Sequence, residues 1–176
     1  MFTNFQHKKI KHHFNIIDFN QDGVLTKEDL YNHGKAYADL IQVPQEDYIA
    51  KEIAWWDKMN EVLNIESTRP LTAHDHMKAF EIVMSNSSFL PVFLWDYIEL
   101  IWKSLKLKRS ECIPYKMFAG VMVAEEGAEA QEIFNLLDTE KKGMLYMHEL
   151  YHYWVNFFYS NNPTCPSKWV FGKINL

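Results

Sequence analysis

Asp18-Phe19-Asn20-Gln21-Asp22-Gly23-Val24-Leu25-Thr26-Lys27-Glu28-Asp29 places oxygen-bearing side chains at its first, third, fifth and twelfth positions, around a glycine at the sixth. A hard divalent cation takes roughly six to eight oxygen ligands, so the carboxylates of such a loop must converge. Gly23 permits the sharp turn that brings the second half of the loop back around the ion. The stretch therefore predicts a metal loop whose ligands are Asp18, Asn20, Asp22, the backbone carbonyl of Val24 and Asp29, with a hydroxyl or bridging water at Thr26. Aspartate at the twelfth position is shorter than the usual glutamate and reaches a bidentate geometry less easily, so Ca²⁺ is the expected cofactor and Mg²⁺ a competitor.

Asp, Asn and Gly also dominate ordinary turns, and the flanking periodicity decides between the two readings. Ile10, Phe14 and Ile17 recur at helical spacing before the loop, and Leu30, Tyr37 and Ile41 after it. Helix, twelve-residue loop and helix together make an EF-hand unit.

The same spacing continues along the chain. Pro44 sits at a plausible first helical position before Ile49, Ile53, Trp56 and Leu63. Thr72 is placed to cap a helix striped by Ala73, Met77, Phe80 and Met84, and Ser85 to Pro91 reads as a linker. Further helices carry Leu94, Ile98, Ile101 and Leu105, then Phe118, Val121 and Met122, then Ile133, Phe134 and Leu137, and finally Leu150, Trp154, Phe157 and Phe158. With no convincing alternating strands, the expected fold is all-α: four EF-hand units in two pairs forming a compact globule closed by a C-terminal tail. The expected boundaries are an N-terminal pair over residues 1–86, a C-terminal pair over 87–160 and the tail over 161–176.

The best internal match to the first loop is Asp138 to Glu149, which keeps acids at positions 1, 3 and 12 and Gly143 at 6. Its fifth position is Lys142, an ammonium where a cation would sit, so metal binding there is expected to be weak or absent. Residues 64–75 and 106–117 lack the central glycine and are expected to bind no calcium. Leu71 and Ile113 are their eighth-position residues, expected to pair across a short antiparallel bridge with the partner loop.

The chain has 176 residues, 48% hydrophobic and 23% charged, with a formal net charge of −5. That acidity, with Lys103, Lys106, Lys108 and Arg109 as the one short basic patch, argues against nucleic acid as a partner. The N-terminus has no continuous apolar run of the signal-peptide kind, and no stretch approaches a membrane span. With only Cys112 and Cys165, both expected as plain thiols, a cytoplasmic setting follows, in which the Asn86-Ser87-Ser88 sequon goes unglycosylated. His12 and His13 are adjacent, and His74 and His76 are two apart; neither spacing puts two imidazoles on one helical face, so a zinc site is not expected.

On Phe14-Asn15-Ile16-Ile17-Asp18, the first loop ending in aspartate, the degenerate second loop and the tail Phe157 to Gly172 with its Pro163-Thr164-Cys165 segment, the chain resembles the four-EF-hand group of sarcoplasmic calcium-binding proteins, coelenterazine-binding proteins and calcium-regulated photoproteins. The photoproteins surround a peroxidised luciferin with His and Trp on the last helix and Tyr in the tail. The matching positions here are Trp154, Phe158 and Trp169, which cannot repeat the His and Tyr roles. The resemblance therefore implies a non-enzymatic calcium-binding protein acting as a buffer or in a structural role. Its alternative is a carrier of a luciferin-like apolar aromatic small molecule with ion-linked binding or release, and an oxygenase of such a molecule is a third class. The six tryptophans, with Met77, Met84, Met117 and Met122, would line such a pocket, or else form an ordinary aromatic core.

Overall fold

A computed structural model of the chain describes residues 2–42, 44–86, 88–118 and 128–174. The described elements are α1 (Asn4–Ile17), β1 (Val24–Leu25), α2 (Lys27–Leu40), α3 (Gln45–Leu63), β2 (Leu71–Thr72), α4 (Ala73–Asn86), α5 (Phe89–Ser104), β3 (Cys112–Pro114), α6 (Tyr115–Phe118), α7 (Ala128–Leu137), β4 (Met144–Tyr146) and α8 (Met147–Tyr159), followed by a 3-10 turn at Pro166–Trp169. The described residues are thus mainly helical, with two short ladders, and the chain divides into two compact units, Met1–Leu90 and Pro91–Leu176.

In the first unit β1 and β2 run antiparallel, with Leu25 opposite Leu71. In the second, β3 and β4 do the same, with Ile113 opposite Leu145. Each ladder joins the eighth positions of two loops, and all four aliphatic residues are buried. The pairing read from the sequence is what ties each helix-loop-helix unit to its neighbour.

Local sequence explains several helix ends. Thr26 accepts a hydrogen bond from the Asp29 N–H at 3.2 Å while Asp29 Oδ2 accepts from the Thr26 N–H at 2.8 Å, a reciprocal cap on α2. Thr72 and Asp75 repeat it at α4. Pro44 precedes α3 as its cap, with ψ of 135°, and does not open the helix as the first helical residue; the extended backbone of a cap suits a proline that has no N–H to offer. At the other end of α3, Asn64 takes φ of +53° and closes the helix in the left-handed region.

Gly34 lets α2 and α3 approach closely. A Cβ at this position would lie 3.0 Å from Glu52 Cγ and 3.2 Å from the backbone of Ile49.

Two further expectations change. The linker at Ser85 to Pro91 is mostly helical, because α4 runs to Asn86 and α5 starts at Phe89; the apolar sequence on both sides gives each helix a face to bury. On α4 the fully buried residues are His76, Ala79, Phe80 and Val83, while Ala73, Met77 and Met84 are half-buried. The core face is turned by about one position, since it is built around Phe80 and admits a histidine. Val121 and Met122 lie outside the described residues.

In the second unit the tail packs on α7 and α8. Phe171 meets Phe157 edge-on at 4.7 Å and Trp154 at 5.2 Å, Val170 is fully buried, and Lys173 pairs with Glu132 at 2.8 Å.

Candidate cation-binding loops

The loop at residues 18–29 is organised by its own donors. Gly23, at φ of +87°, gives its N–H to Asp18 Oδ2 at 3.0 Å. The Asp22 N–H reaches Asn20 Oδ1 at 2.9 Å, and the Val24 N–H reaches Asp22 Oδ1 at 2.9 Å. The second oxygen of Asp22 accepts from the Asn20 amide at 3.0 Å. Asp29 turns Oδ1 toward the Asn20 N–H at 3.4 Å and Oδ2 toward the Thr26 hydroxyl at 2.5 Å.

Thr26 therefore spends its hydroxyl on the cap, whereas the sequence suggested it as a donor to the ion. All five expected ligand residues lie in this single turn, and Asp18 and Asp29 are buried. Asp18 Oδ1 is buried and accepts no hydrogen bond. Buried carboxylate oxygens are normally satisfied, so this one is available to a cation. Among the described residues, no three His, Cys, Asp or Glu side chains stand ready as an ion-holding cluster; the loop carboxylates are turned onto the loop's own N–H groups and the Asn20 amide. The donor set still fits a hard cation, being all oxygen and carrying three carboxylates.

The loop at 138–149 has the same backbone logic and adds a lysine to it. Asp138 accepts from the Lys142 and Gly143 N–H groups at 2.9 and 2.6 Å, so both of its oxygens are engaged. Glu149 accepts from the Tyr146 N–H at 2.9 Å and from the Lys142 ammonium at 2.6 Å. The ammonium also lies 3.2 Å from Glu140 and 5.1 Å from the centre of the Tyr146 ring. Its hydrogen bond to Glu149 foremost, and Glu140 next, raise the Lys142 pKa above the ordinary lysine range. Burial works against ionisation of Glu149, but Lys142 and the Tyr146 N–H outweigh it and lower the carboxyl pKa.

The two loops without a central glycine are held by other means. Trp56 donates its indole N–H to the Ser67 carbonyl at 3.1 Å, and Trp102 donates to the Glu111 carbonyl at 3.0 Å. In 64–75 the twelfth-position Asp75 is bound by Arg69 at 2.8 Å. Burial again opposes ionisation, and the Thr72 hydrogen bonds with Arg69 lower the Asp75 pKa below its ordinary value. In the basic patch, Arg109 and Lys103 both pair with Glu99.

The fold unites two histidines that the sequence spacing kept apart. His13 of α1 and His76 of α4 meet Nδ1 to Nε2 at 3.2 Å, with rings only 12° from parallel and centroids 5.4 Å apart. Such edge-to-edge alignment is that of an imidazole–imidazole hydrogen bond, with the lone pair aimed at its neighbour. Burial pushes His76 down to about 3. Burial first, then the neighbouring His76, His33 and His12, also lowers His13 well below the ordinary value. The signal missed was tertiary, since the two residues lie on different helices. Cys112 and Cys165 are free thiols; Cys112 lies 3.1 Å from Met144 Sδ and Cys165 2.9 Å from Ser167 Oγ. Among the described residues no helix is long and apolar enough to cross a membrane.

No protein-family model matches the chain, and no curated protein sequence matches it significantly. Solved structures do. Okadaic acid binding protein 2.1 superposes with a TM-score of 0.80 at 15% identity, over 98% of this chain and 97% of that one. A sarcoplasmic calcium-binding protein from amphioxus gives 0.64 at 16% identity over 91% and 92%. The calcium-loaded apo form of coelenterazine-binding protein from Renilla muelleri gives 0.63 at 13% identity over 98% and 100%. At such identities the likeness establishes architecture: this chain has the EF-hand fold shared by sarcoplasmic calcium-binding proteins and coelenterazine-binding proteins.

Proposed function

We propose that this protein is a non-enzymatic, intracellular EF-hand protein that holds one Ca²⁺ or Mg²⁺ in residues 18–29, in a buffering or structural role. Asp18, Asn20, Asp22, the Val24 carbonyl and Asp29 would hold the ion. A bound divalent ion would neutralise three carboxylates that have no basic partner among the described ion pairs. Gly23 and the Thr26 cap preset the turn, so little backbone ordering remains to be done on binding. The observation that carries the reading is Asp18 Oδ1, buried without a hydrogen-bond donor, where the equivalent oxygen of Asp138 is already satisfied. The two free thiols fit a reducing compartment. Calorimetric titration of the intact protein with calcium is expected to show one equivalent bound, and Asp18→Asn to remove it. Absence of binding, or binding indifferent to Asp18→Asn, would overturn the reading.

A second reading, a carrier of an apolar aromatic small molecule, is favoured by one observation. Trp154 Nε1 is buried without an acceptor, and its ring contacts those of Tyr97 and Phe171, which places an unpartnered donor in an aromatic wall. The name of the coelenterazine-binding neighbour points the same way, and that of the okadaic acid binding neighbour points to an apolar ligand without an aromatic ring. A change in tryptophan fluorescence on adding either compound, diminished in Trp154→Phe, is the expected result. Native mass spectrometry that detects neither compound bound would exclude both as ligands.

A further inference from the structure

The twelfth-position carboxylate is the residue that closes an EF-hand loop on its ion. In the loop at 138–149 that carboxylate is closed on a lysine. Glu149 Oε1 lies 2.6 Å from the Lys142 ammonium, Glu140 at the third position lies 3.2 Å from the same nitrogen, and the face of Tyr146 is turned toward it at 5.1 Å. Asp138 at the first position has both oxygens engaged by backbone N–H groups. Positions 1, 3, 5 and 12, the positions that would surround a metal, are thus joined through one residue of the chain itself.

We propose that residues 138–149 form a masked divalent-cation site, in which the tethered Lys142 ammonium takes the place of the ion. A tethered cation meets its carboxylates without the translational entropy loss that a free ion incurs, so it holds the loop closed at any calcium concentration. An incoming Ca²⁺ would have to break both ion pairs and accept a positive charge at the fifth position. It would also forgo the oxygen that an acidic residue there supplies. Arg69 on Asp75 does a related job in the loop at 64–75, but only 138–149 also keeps Asp138, Glu140 and Gly143 of the metal-loop pattern. The proposal makes the second unit indifferent to divalent ions through a side chain, and it makes the site recoverable by one substitution.

The test is independent of the first loop, because it is made in a background that lacks the Asp18 carboxylate. Asp18→Asn and Asp18→Asn/Lys142→Asp are titrated with calcium, and with terbium as a luminescent probe. The single variant is expected to bind no ion at 138–149. The double variant should bind one equivalent of calcium, at least about tenfold tighter than any residual binding in the single variant. A double variant that keeps its native near-UV circular dichroism and binds no ion would overturn the proposal, as would an equivalent bound at 138–149 with Lys142 in place. Should the double variant be unfolded in chelator, addition of millimolar calcium is expected to refold it, and failure to refold would count equally against the masked site.

Discussion

Trp56 gives its indole N–H to the Ser67 carbonyl at 3.1 Å, and so holds a loop that carries Arg69 where the metal-loop pattern has glycine. Trp102 does the same for Glu111 in the second unit. Trp56→Phe should keep an aromatic side chain but lose the bond and part of the buried indole's volume, leaving a part-buried carbonyl short of a donor. A loss of about 1–2 kcal/mol in urea unfolding is expected, with calcium stoichiometry unchanged.

Gly34→Ala is expected to destabilise the first unit although alanine favours helices. The gain in propensity is about 1 kcal/mol, but the new Cβ would press on the Ile49 backbone at 3.2 Å and on Glu52 Cγ at 3.0 Å. Backbone cannot yield as a side chain does, so a net loss of about 1–3 kcal/mol is predicted from thermal melts. The displaced Glu52 should weaken its 3.1 Å contact with His33 as well.

The buried histidines set an acid limit. His76 has its pKa lowered by burial from 6.5 to about 3, so it binds its proton more readily unfolded than folded. Its contribution to stability is present above 6.5 and is lost as pH falls toward 3. His33 works in the opposite sense: burial lowers it, but Glu52 outweighs burial and raises the pKa, so its contribution is present below 6.5 and fades as pH rises through the raised value. Melting temperatures of the parent and His76→Phe, compared between pH 7 and pH 4, should converge as the pH falls. Parallel curves would contradict the assignment to His76.

Asp29→Glu should favour calcium over magnesium. The longer side chain can keep the cap on Thr26, as Glu149 Oε2 does with the Tyr146 N–H at 2.9 Å, while reaching further toward the ion. About a tenfold gain in calcium affinity is expected, or ~1.4 kcal/mol, with little gain for magnesium.

The fold was legible because its signals are local or periodic. Gly23, the acids around it and the apolar residues at helical spacing specify a loop between helices, and Leu71 and Ile113 mark the pairing positions without any tertiary knowledge. The Asp138 to Glu149 match was also legible, as was the conflict posed by Lys142. Where its ammonium goes was not, since reaching Glu149 and Glu140 depends on the closed loop. The meeting of His13 and His76, the close approach at Gly34 and the two tryptophan staples were hidden for the same reason: each joins separate elements or a helix to a later loop. The α4 stripe was misplaced because a core histidine counts as polar in a periodicity reading and as buried in the structure.

One loop that responds to an ion and one closed by its own lysine are told apart by the amide resonances of Gly23 and Gly143 during a calcium titration. Each N–H donates to the first aspartate of its loop, at 3.0 and 2.6 Å, so each reports whether that carboxylate engages an ion. Gly23 should show a saturable shift and Gly143 should stay unmoved. A stationary Gly23, or a Gly143 that shifts with Lys142 in place, would contradict that distinction between the loops.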